Sequence, residues 1–470
     1  MLKKGLIYIV FILVAGLIIS SCRKDEIITD SSAKLSFSTD TVMFDTVFTT
    51  IGSTTRQLKV YNPYDQPIKI SNLFLAGGSE SFYRLNINGK ISTSLTNVEI
   101  APDDSLFIFV EVNIDPTNVN NPMVVQDSIV FVTNGNRQDI DLVAYGQDVL
   151  LINGQFVGDT VWTNDKPVLV YNSMAVDSNC TLTIMQGTKV HFHKNSYLYV
   201  YPTASLVVNG TLEEPVIFRG DRLEHSFDDL PGQWGGIHLT QNSKNNVINY
   251  AEIINAVIGI RADSLDVSSP NPTLTITNSK IMNMSYAGIL GAGSTILATN
   301  CVVYNCGFYA VALLYGGAYE FYHCTIFNYW SFGSRTTPSV ILNNYFYSGG
   351  TYYVRHLVKA TFGNCIIFGN QDDEIALDPY PGAGDFIYKF DYSLLKYTGN
   401  VSDPVYFNNV YLNEYPEFAD FTEYDFELDT LSFPKDKGSI DIGSLVPLDF
   451  KGASRTSDTG PDLGAFERLE

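Results

Sequence analysis

The sequence predicts an all-β chain in which a β-sandwich over residues 35–148 precedes a parallel β-helix over residues 149–470. Three observations carry that prediction. A six-residue phrase, roughly Asn, small residue, any, Ile or Val, any, Asn, recurs with starts at Tyr250, Asn278, Asn300, His323, Asn343 and Asn364, spaced by 28, 22, 23, 20 and 21 residues. Such a period marks one turn of a stacked architecture that cannot bury its apolar face alone. Short apolar–polar alternations between turn dipeptides fill the stretch before it. Neither a leucine-rich consensus nor a helical period accompanies the repeat, which favours a β-helix over a horseshoe.

The leader comes first. Lys3 and Lys4 precede an apolar run from Gly5 to Ile19, and Ile19-Ser20-Ser21-Cys22 closes it with small residues before a cysteine. This reads as a secretory signal over residues 1–21, too short for a spanning helix. The closing residues resemble the lipobox of bacterial lipoproteins. That resemblance implies cleavage before Cys22, lipidation of Cys22, and an anchor in the outer membrane, with polar residues 22–34 as a tether. Arg23-Lys24-Asp25-Glu26 resembles the charged segment accompanying surface export in lipoproteins of Bacteroidota, which implies exposure at the cell surface.

The sandwich is read from Leu58–Tyr61 before Asn62-Pro63, Ile68–Ile70, Leu106–Ile114, Ile129–Val132 before Asn134-Gly135, and Ile140–Ala144. Each alternates apolar with polar residues, as a half-buried strand does. Together with Phe44–Phe48 and Gly52-Ser53, the stretch resembles the immunoglobulin-like domains found behind lipoprotein anchors in Bacteroidota. No catalytic residue comes with that resemblance.

In the repeat, the second and fourth positions of the phrase share a strand face. The second holds Ala251, Ser279, Cys301, Cys324, Asn344 and Cys365; the fourth holds Ile253, Ile281, Val303, Ile326, Phe346 and Ile367. These are the expected interior. The sixth is Asn at 255, 283, 305 and 328, a residue that bonds backbone at bends and tolerates left-handed dihedrals, so an asparagine ladder is expected at one corner. Upstream, Leu182–Ile184, Gly187–Phe192, Leu198–Val200, Leu206–Thr211 and Pro215–Phe218 form close-set strands. These, with Gln233-Trp234-Gly235-Gly236-Ile237 and the closing Gly460–Glu467, resemble the right-handed β-helix, or pectate-lyase-like, superfamily. The resemblance implies a right-handed coil over residues 149–470 with a C-terminal cap.

Composition bounds the partners. With 29 Tyr, 29 Phe and 45% hydrophobic residues the chain fills an extended core. Its net charge is −21, and losing Lys3 and Lys4 with the leader takes it to −23. That field repels phosphate backbones, so nucleic acid is excluded as a partner. Beyond Cys22 there are five cysteines, 180, 301, 306, 324 and 365, an odd number with no CxxC spacing. Three fall on the interior register, where Cys acts as a small hydrophobe. A Cys301–Cys324 bridge is conceivable, with stacking the preferred reading.

Members of the resembled superfamily include lyases and glycosidases acting on acidic polysaccharides. A hydrolase needs paired carboxyl groups roughly 5 to 9.5 Å apart. Asp372-Asp373-Glu374, Asp228-Asp229 and Asp263 with Asp266 qualify by composition, but in so acidic a chain they are expected as exposed loop charges. No Gly-His-Asp or Arg-Ile-Lys element of the polygalacturonase type occurs. A lyase needs a cation for the uronate carboxylate and a base for the neighbouring proton. Arg335 and Arg355 each lie 12 residues after a phrase start, which would set them one turn apart on one flank. Trp330, Tyr352, Tyr353, His356 and Lys359 surround them in sequence and complete a candidate ligand surface, since sugar rings stack on aromatics and carboxylates pair with Arg. His191 and His193 are expected on a solvated outer face, with Val190 and Phe192 inward. No metal site and no cofactor is assigned; calcium is admitted because exposed carboxylates suit it.

The leading reading is a surface-anchored, non-catalytic lipoprotein whose β-helix flank binds a glycan or another cell-envelope component. A polysaccharide lyase or glycosidase acting on acidic glycans is the enzyme alternative, and an adhesin or structural protein with a protein partner is the third.

Overall fold

The computed structural model describes residues 26–116, 123–264, 266–269, 271–457 and 459–468. The leader 1–21, Cys22 and the first part of the tether lie outside the described residues. The chain divides into two compact units, one ending at Asp148 and the other beginning at Val149.

In the first unit two five-stranded sheets face each other. One orders Ser36–Phe37, Arg56–Tyr61, Ser105–Val112, Tyr83–Ile87 and Lys90–Ile91; the other orders Thr41–Phe48, Asn136–Gln147, Met123–Thr133, Ile68–Leu75 and Ser94–Ile100. Alternate residues turn inward, so Leu58, Val60, Ile108, Val110, Ile129, Phe131, Leu142 and Ala144 form one dry core. Pairing is antiparallel except between Thr41–Phe48 and Asn136–Gln147, which run parallel. This is the expected β-sandwich.

In the second unit each full coil contributes three strands, which stack into three parallel faces. The first face includes Lys189–Phe192, Val216–Gly220, Ala251–Ile254, Lys280–Met284, Val302–Cys306, Thr325–Asn328 and Ile366–Gly369. The second includes Tyr197–Val200, Gly236–Leu239, Ile258–Asp263, Ala287–Ala292, Tyr309–Leu314, Val340–Asn343 and Ile375–Asp378. The third includes Ser205–Asn209, Asn246–Asn249, Leu274–Thr277, Thr295–Thr299, Gly317–Tyr322 and Leu357–Gly363.

The repeated phrase is the first face. Ile253, Ile281, Val303, Ile326, Ile367 and Leu395 pair coil to coil and are buried, as are Cys301, Cys324 and Cys365 beside them. Those cysteines are free thiols. Burial pushes the Cys301 and Cys365 thiols well up and that of Cys306 up to about 12, so all three stay protonated. The first position of the phrase makes the turn from the third face into the first. Tyr250, Asn278, Asn300, His323 and Asn364 all sit there at φ between 47° and 52°. Asn donates readily from that left-handed conformation, and Asn300 Nδ2 bonds Asn278 Oδ1 at 2.9 Å. A second ladder stands at the sixth position, where Asn305 Nδ2 bonds Asn283 Oδ1 at 2.7 Å.

One expectation requires correction. The copy placed at Asn343 is no coil strand. Tyr345–Ser348 instead pairs antiparallel with Thr351–Val354 as a hairpin, so the step from His323 to Asn364 is a single long coil. The closing segment runs as a strap along the β-helix. Its Phe418, Phe426, Leu428, Phe450, Leu463 and Phe466 pack on the outer side of the first face, against Met282, Val302, Tyr304, Phe327, Ile366 and Phe368.

Candidate functional site

The residues singled out from sequence separate onto different corners. Arg335 lies in residues 329–339, between the first-face strand Thr325–Asn328 and the second-face strand Val340–Asn343. It is buried there. Its Nη2 and Nη1 donate to Glu374 Oε1 and Oε2 at 2.6 and 2.9 Å, and Nη2 also bonds Asn328 O and Asn370 Oδ1. Glu374 is equally buried and accepts from the Ser339 and Gln371 amides. Neither is the exposed charge that the sequence suggested. A buried bidentate pair whose carboxylate also accepts two backbone amides is a structural cross-link of the corner.

Arg355 sits at the opposite edge of the second face. Its guanidinium lies over the Tyr315 ring, 5.2 Å from the centroid, and Nη1 bonds Ser264 O at 3.2 Å. The two arginines therefore share no flank. The 12-residue register fails because residues 329–339 and the hairpin are insertions, placed before and after the same second-face strand.

That hairpin turns on Gly349 and Gly350, both at positive φ, and exposes aromatics on both sides. Phe346 and Tyr353 stack at 4.8 Å, with Phe346 edge-on to Tyr315; Tyr352 groups with Tyr345, Tyr347 and Tyr380 on the other side. Trp330 contacts Phe332 on the first corner. His356 pairs with Asp385, and Lys359 pairs with Glu320 on the third face. So Tyr353 and Arg355 come together through Phe346 and Tyr315, whereas Tyr352 faces the other side of the hairpin and Trp330, Arg335 and Lys359 do not join them.

A better-formed site lies on the outer side of the second face. Alternation along Tyr197-Leu198-Tyr199-Val200 buries Leu198 and Val200 and turns both tyrosines outward. Tyr199, His238 and Arg261 then pair in register on three successive coils. With Tyr197, Gly235, Gly236 and Ile258 they line a cavity of about 300 Å³. Gly235 is required by close approach: a Cβ there would lie 2.3 Å from the Tyr197 ring. Gly236 adopts φ +126°, and its Cβ would strike Ile258 O. Beneath them Trp234 is fully buried, stacked on Phe192 at 4.1 Å, with its Nε1 donating to Ile254 O. The Gln233–Ile237 element is thus the floor of the cavity.

Electrostatics at this site are balanced. His238 Nε2 donates to Asp263 Oδ2 at 2.9 Å, and Arg261 Nε donates to Asp263 Oδ1 and Oδ2 at 2.9 and 3.1 Å. Burial alone would raise the Asp263 carboxyl, but these bonds hold it below the usual range, so it is ionised at neutral pH. Burial and the neighbouring phenols of Tyr197 and Tyr201 raise the Tyr199 phenol, which keeps its proton. The cavity offers two aromatic faces, hydroxyls and guanidinium donors, with the Asp263 carboxylate bonded to its lining residues His238 and Arg261.

His191 departs from its expected solvated face. It is buried, with Nδ1 3.3 Å from Gly220 O, and desolvation lowers it to about 4. His193 alone reaches the surface, stacked on Tyr171 and bonded to Asp221 at 2.7 Å. Among the described residues no group of three or more His, Cys, Asp or Glu is arranged to hold a metal ion. Three of the carboxylates named for hydrolysis are engaged here: Asp228 with Arg219 and His225, Asp229 with Tyr424, and Asp373 with Thr398.

Two family models match the chain: a pectate-lyase-like β-helix domain over residues 154–294 and a right-handed β-helix region over residues 268–401. No curated protein matches it. Among solved structures, a family 123 glycoside hydrolase from Clostridium perfringens, described for glycolipid glycan hydrolysis, is similar at 10% identity and a TM-score of 0.17. The match covers 26% of each chain, about a quarter of that hydrolase's length, and a likeness so low carries no functional argument. The three-faced stack and the two models together place this second unit in the parallel β-helix superfamily of pectate-lyase-like domains.

Proposed function

We propose that the protein is a surface-anchored lipoprotein whose β-helix binds an extended glycan along the outer side of its second face. The observation that carries this reading is the Tyr197–Tyr199 cavity, where aromatic faces and hydrogen-bonding groups of both kinds converge. Sugar rings present an apolar C–H face and a rim of hydroxyls, and sites for them combine flat aromatics with a few placed polar groups. The second-face strands from Tyr199 to Ile341 span five coil steps, about 24 Å at the spacing of paired strands. Several sugar units fit that length. The hairpin, with Tyr352 and Tyr353 on its second strand and Arg355 just after it, stands at the far end.

In this reading Cys22 carries the lipid in the outer membrane, residues 22–34 are the tether, and the immunoglobulin-like sandwich follows the tether in the chain. Binding without turnover is the reading favoured over a lyase or glycosidase, because Asp228, Asp229, Asp373 and Glu374 are each engaged in bonds of the fold.

A glycan array probed with the detergent-solubilised protein tests the binding. Signal on a defined glycan, lost in Tyr199→Ala, is the expected result; a blank array refutes the reading and, if an envelope protein is then captured, shifts it to a protein partner. For the anchor, Cys22→Ala should release the protein from membranes, and continued retention would overturn the lipid attachment.

A further inference from the structure

We infer that the sugar held in the second-face cavity is uncharged, an inference that rests on the glycan reading proposed for this site. A uronate needs a cation whose charge is free to be shared with it. The full-time cation lining this cavity is Arg261, and its Nε already donates to both oxygens of Asp263. Asp263 is ionised, being held there by His238 and Arg261, so the pair contributes one positive and one negative charge. A sugar carboxylate entering beside Arg261 would sit next to a second carboxylate and compete with it for one guanidinium. Like charges at that range repel.

The same neutralisation extends to other cations that sequence suggested for an acidic ligand. Arg335 is spent on Glu374 and Lys359 on Glu320. Around them the chain carries a net charge of −21, a field that lowers the local concentration of any polyanion. An uncharged pyranose meets none of these costs. Its ring stacks on Tyr197 or Tyr199, its hydroxyls donate to Asp263 lone pairs, and the Nη donors of Arg261 reach its oxygens.

The discriminating ligand pair is a uronate polysaccharide and the same polymer after its carboxyl groups have been reduced to hydroxymethyl groups. Backbone, linkage and length are then matched and charge alone differs. Calorimetric titration of the full protein at low salt should show the reduced polymer binding at least tenfold more tightly, with the gap narrowing as NaCl rises. Equal or tighter binding of the uronate form overturns the inference. Asp263→Asn supplies the second arm: it keeps the side chain's shape but frees the Arg261 charge, so uronate affinity should rise several-fold while the melting temperature confirms a folded protein. No rise in uronate affinity overturns the role given to Asp263. Failure of every neutral and acidic glycan would instead bring down the glycan reading, and this inference with it.

Discussion

Two arginine–carboxylate pairs, Arg335–Glu374 and Arg261–Asp263, sit on one solenoid and behave as opposites. The first is closed: both side chains are 0% exposed, and backbone amides and side-chain groups occupy the remaining lone pairs of Glu374. The second is open, with Arg261 44% exposed at the rim of a cavity. The chemistry is the same and the solvent differs. A pair sealed in a corner fixes the path of an inserted loop; a pair at a cavity rim remains available to a ligand. Charge type in the sequence therefore says little until burial is known.

The largest expected effect tests the closed member. Glu374→Ala leaves the Arg335 guanidinium buried without its counter-charge, which costs about 3 to 5 kcal/mol in comparable sites. Denaturant unfolding should show that loss, whereas glycan affinity of the remaining folded protein should be unchanged. The comparison breaks if affinity falls and stability does not.

A second test uses the histidines, which repeat the contrast within one segment: His191 is buried and His193 surfaces beside Asp221. Desolvation lowers His191 to about 4 from an unfolded value near 6.5, and pushes the buried His323 well down too. The unfolded chain then binds protons that the native state refuses. Stability is full above about pH 6.5 and falls as pH drops toward 4, by roughly 3 kcal/mol for His191 alone. Denaturant midpoints measured across pH 4 to 7 should show that slope, and His191→Gln should flatten it. An unchanged slope in the variant would mean that His191 is not the neutral, buried group described.

The scaffold was readable in the sequence because its signal is local and repeated. Ile253, Ile281, Val303, Ile326 and Ile367 each sit two residues after a small residue and two before a corner, and the structure stacks all five. The copy at Asn343 shared only its opening Asn with the phrase, carrying Asn344, Phe346 and Ser348 at the other fixed positions, and formed a hairpin. Its warning was Gly349-Gly350 between two aromatic runs, a strong hairpin turn signal. The partner of Arg335 lies 39 residues away across an insertion, and no spacing rule reaches that far. The cavity was hidden for a related reason: Tyr199, His238 and Arg261 meet only after coils of unequal length are stacked. What was available was the alternation in Tyr197–Val200 and Gly236–Leu239, which already points Tyr199 and His238 outward.

The open pair gives the next effect. Arg261→Ala should change stability by no more than about 0.5 kcal/mol, as exposed pairs contribute little. Titration with the glycan identified on the array should show about a tenfold weaker Kd, near 1.4 kcal/mol. A large stability loss with intact affinity would make Arg261 a second structural cross-link and erase the distinction from Arg335.

Gly235→Ala sharpens the comparison at its smallest scale, because it touches neither charge. The added methyl would lie 2.3 Å from the Tyr197 ring, so the ring must tilt away from the cavity floor. Tyr197 is only half-buried and has solvent to move into, so the fold should absorb the change at a cost of about 1 kcal/mol. The stacking platform, by contrast, would be displaced. Binding should weaken about fivefold, close to 1 kcal/mol, with Tyr197→Ala,Gly235→Ala no worse than Tyr197→Ala alone. That non-additivity is what separates a ring positioned by its glycine from two independent losses. If the two changes simply add, Tyr197 is not held by Gly235 for binding, and the cavity's selectivity must rest on Tyr199, His238 and Arg261.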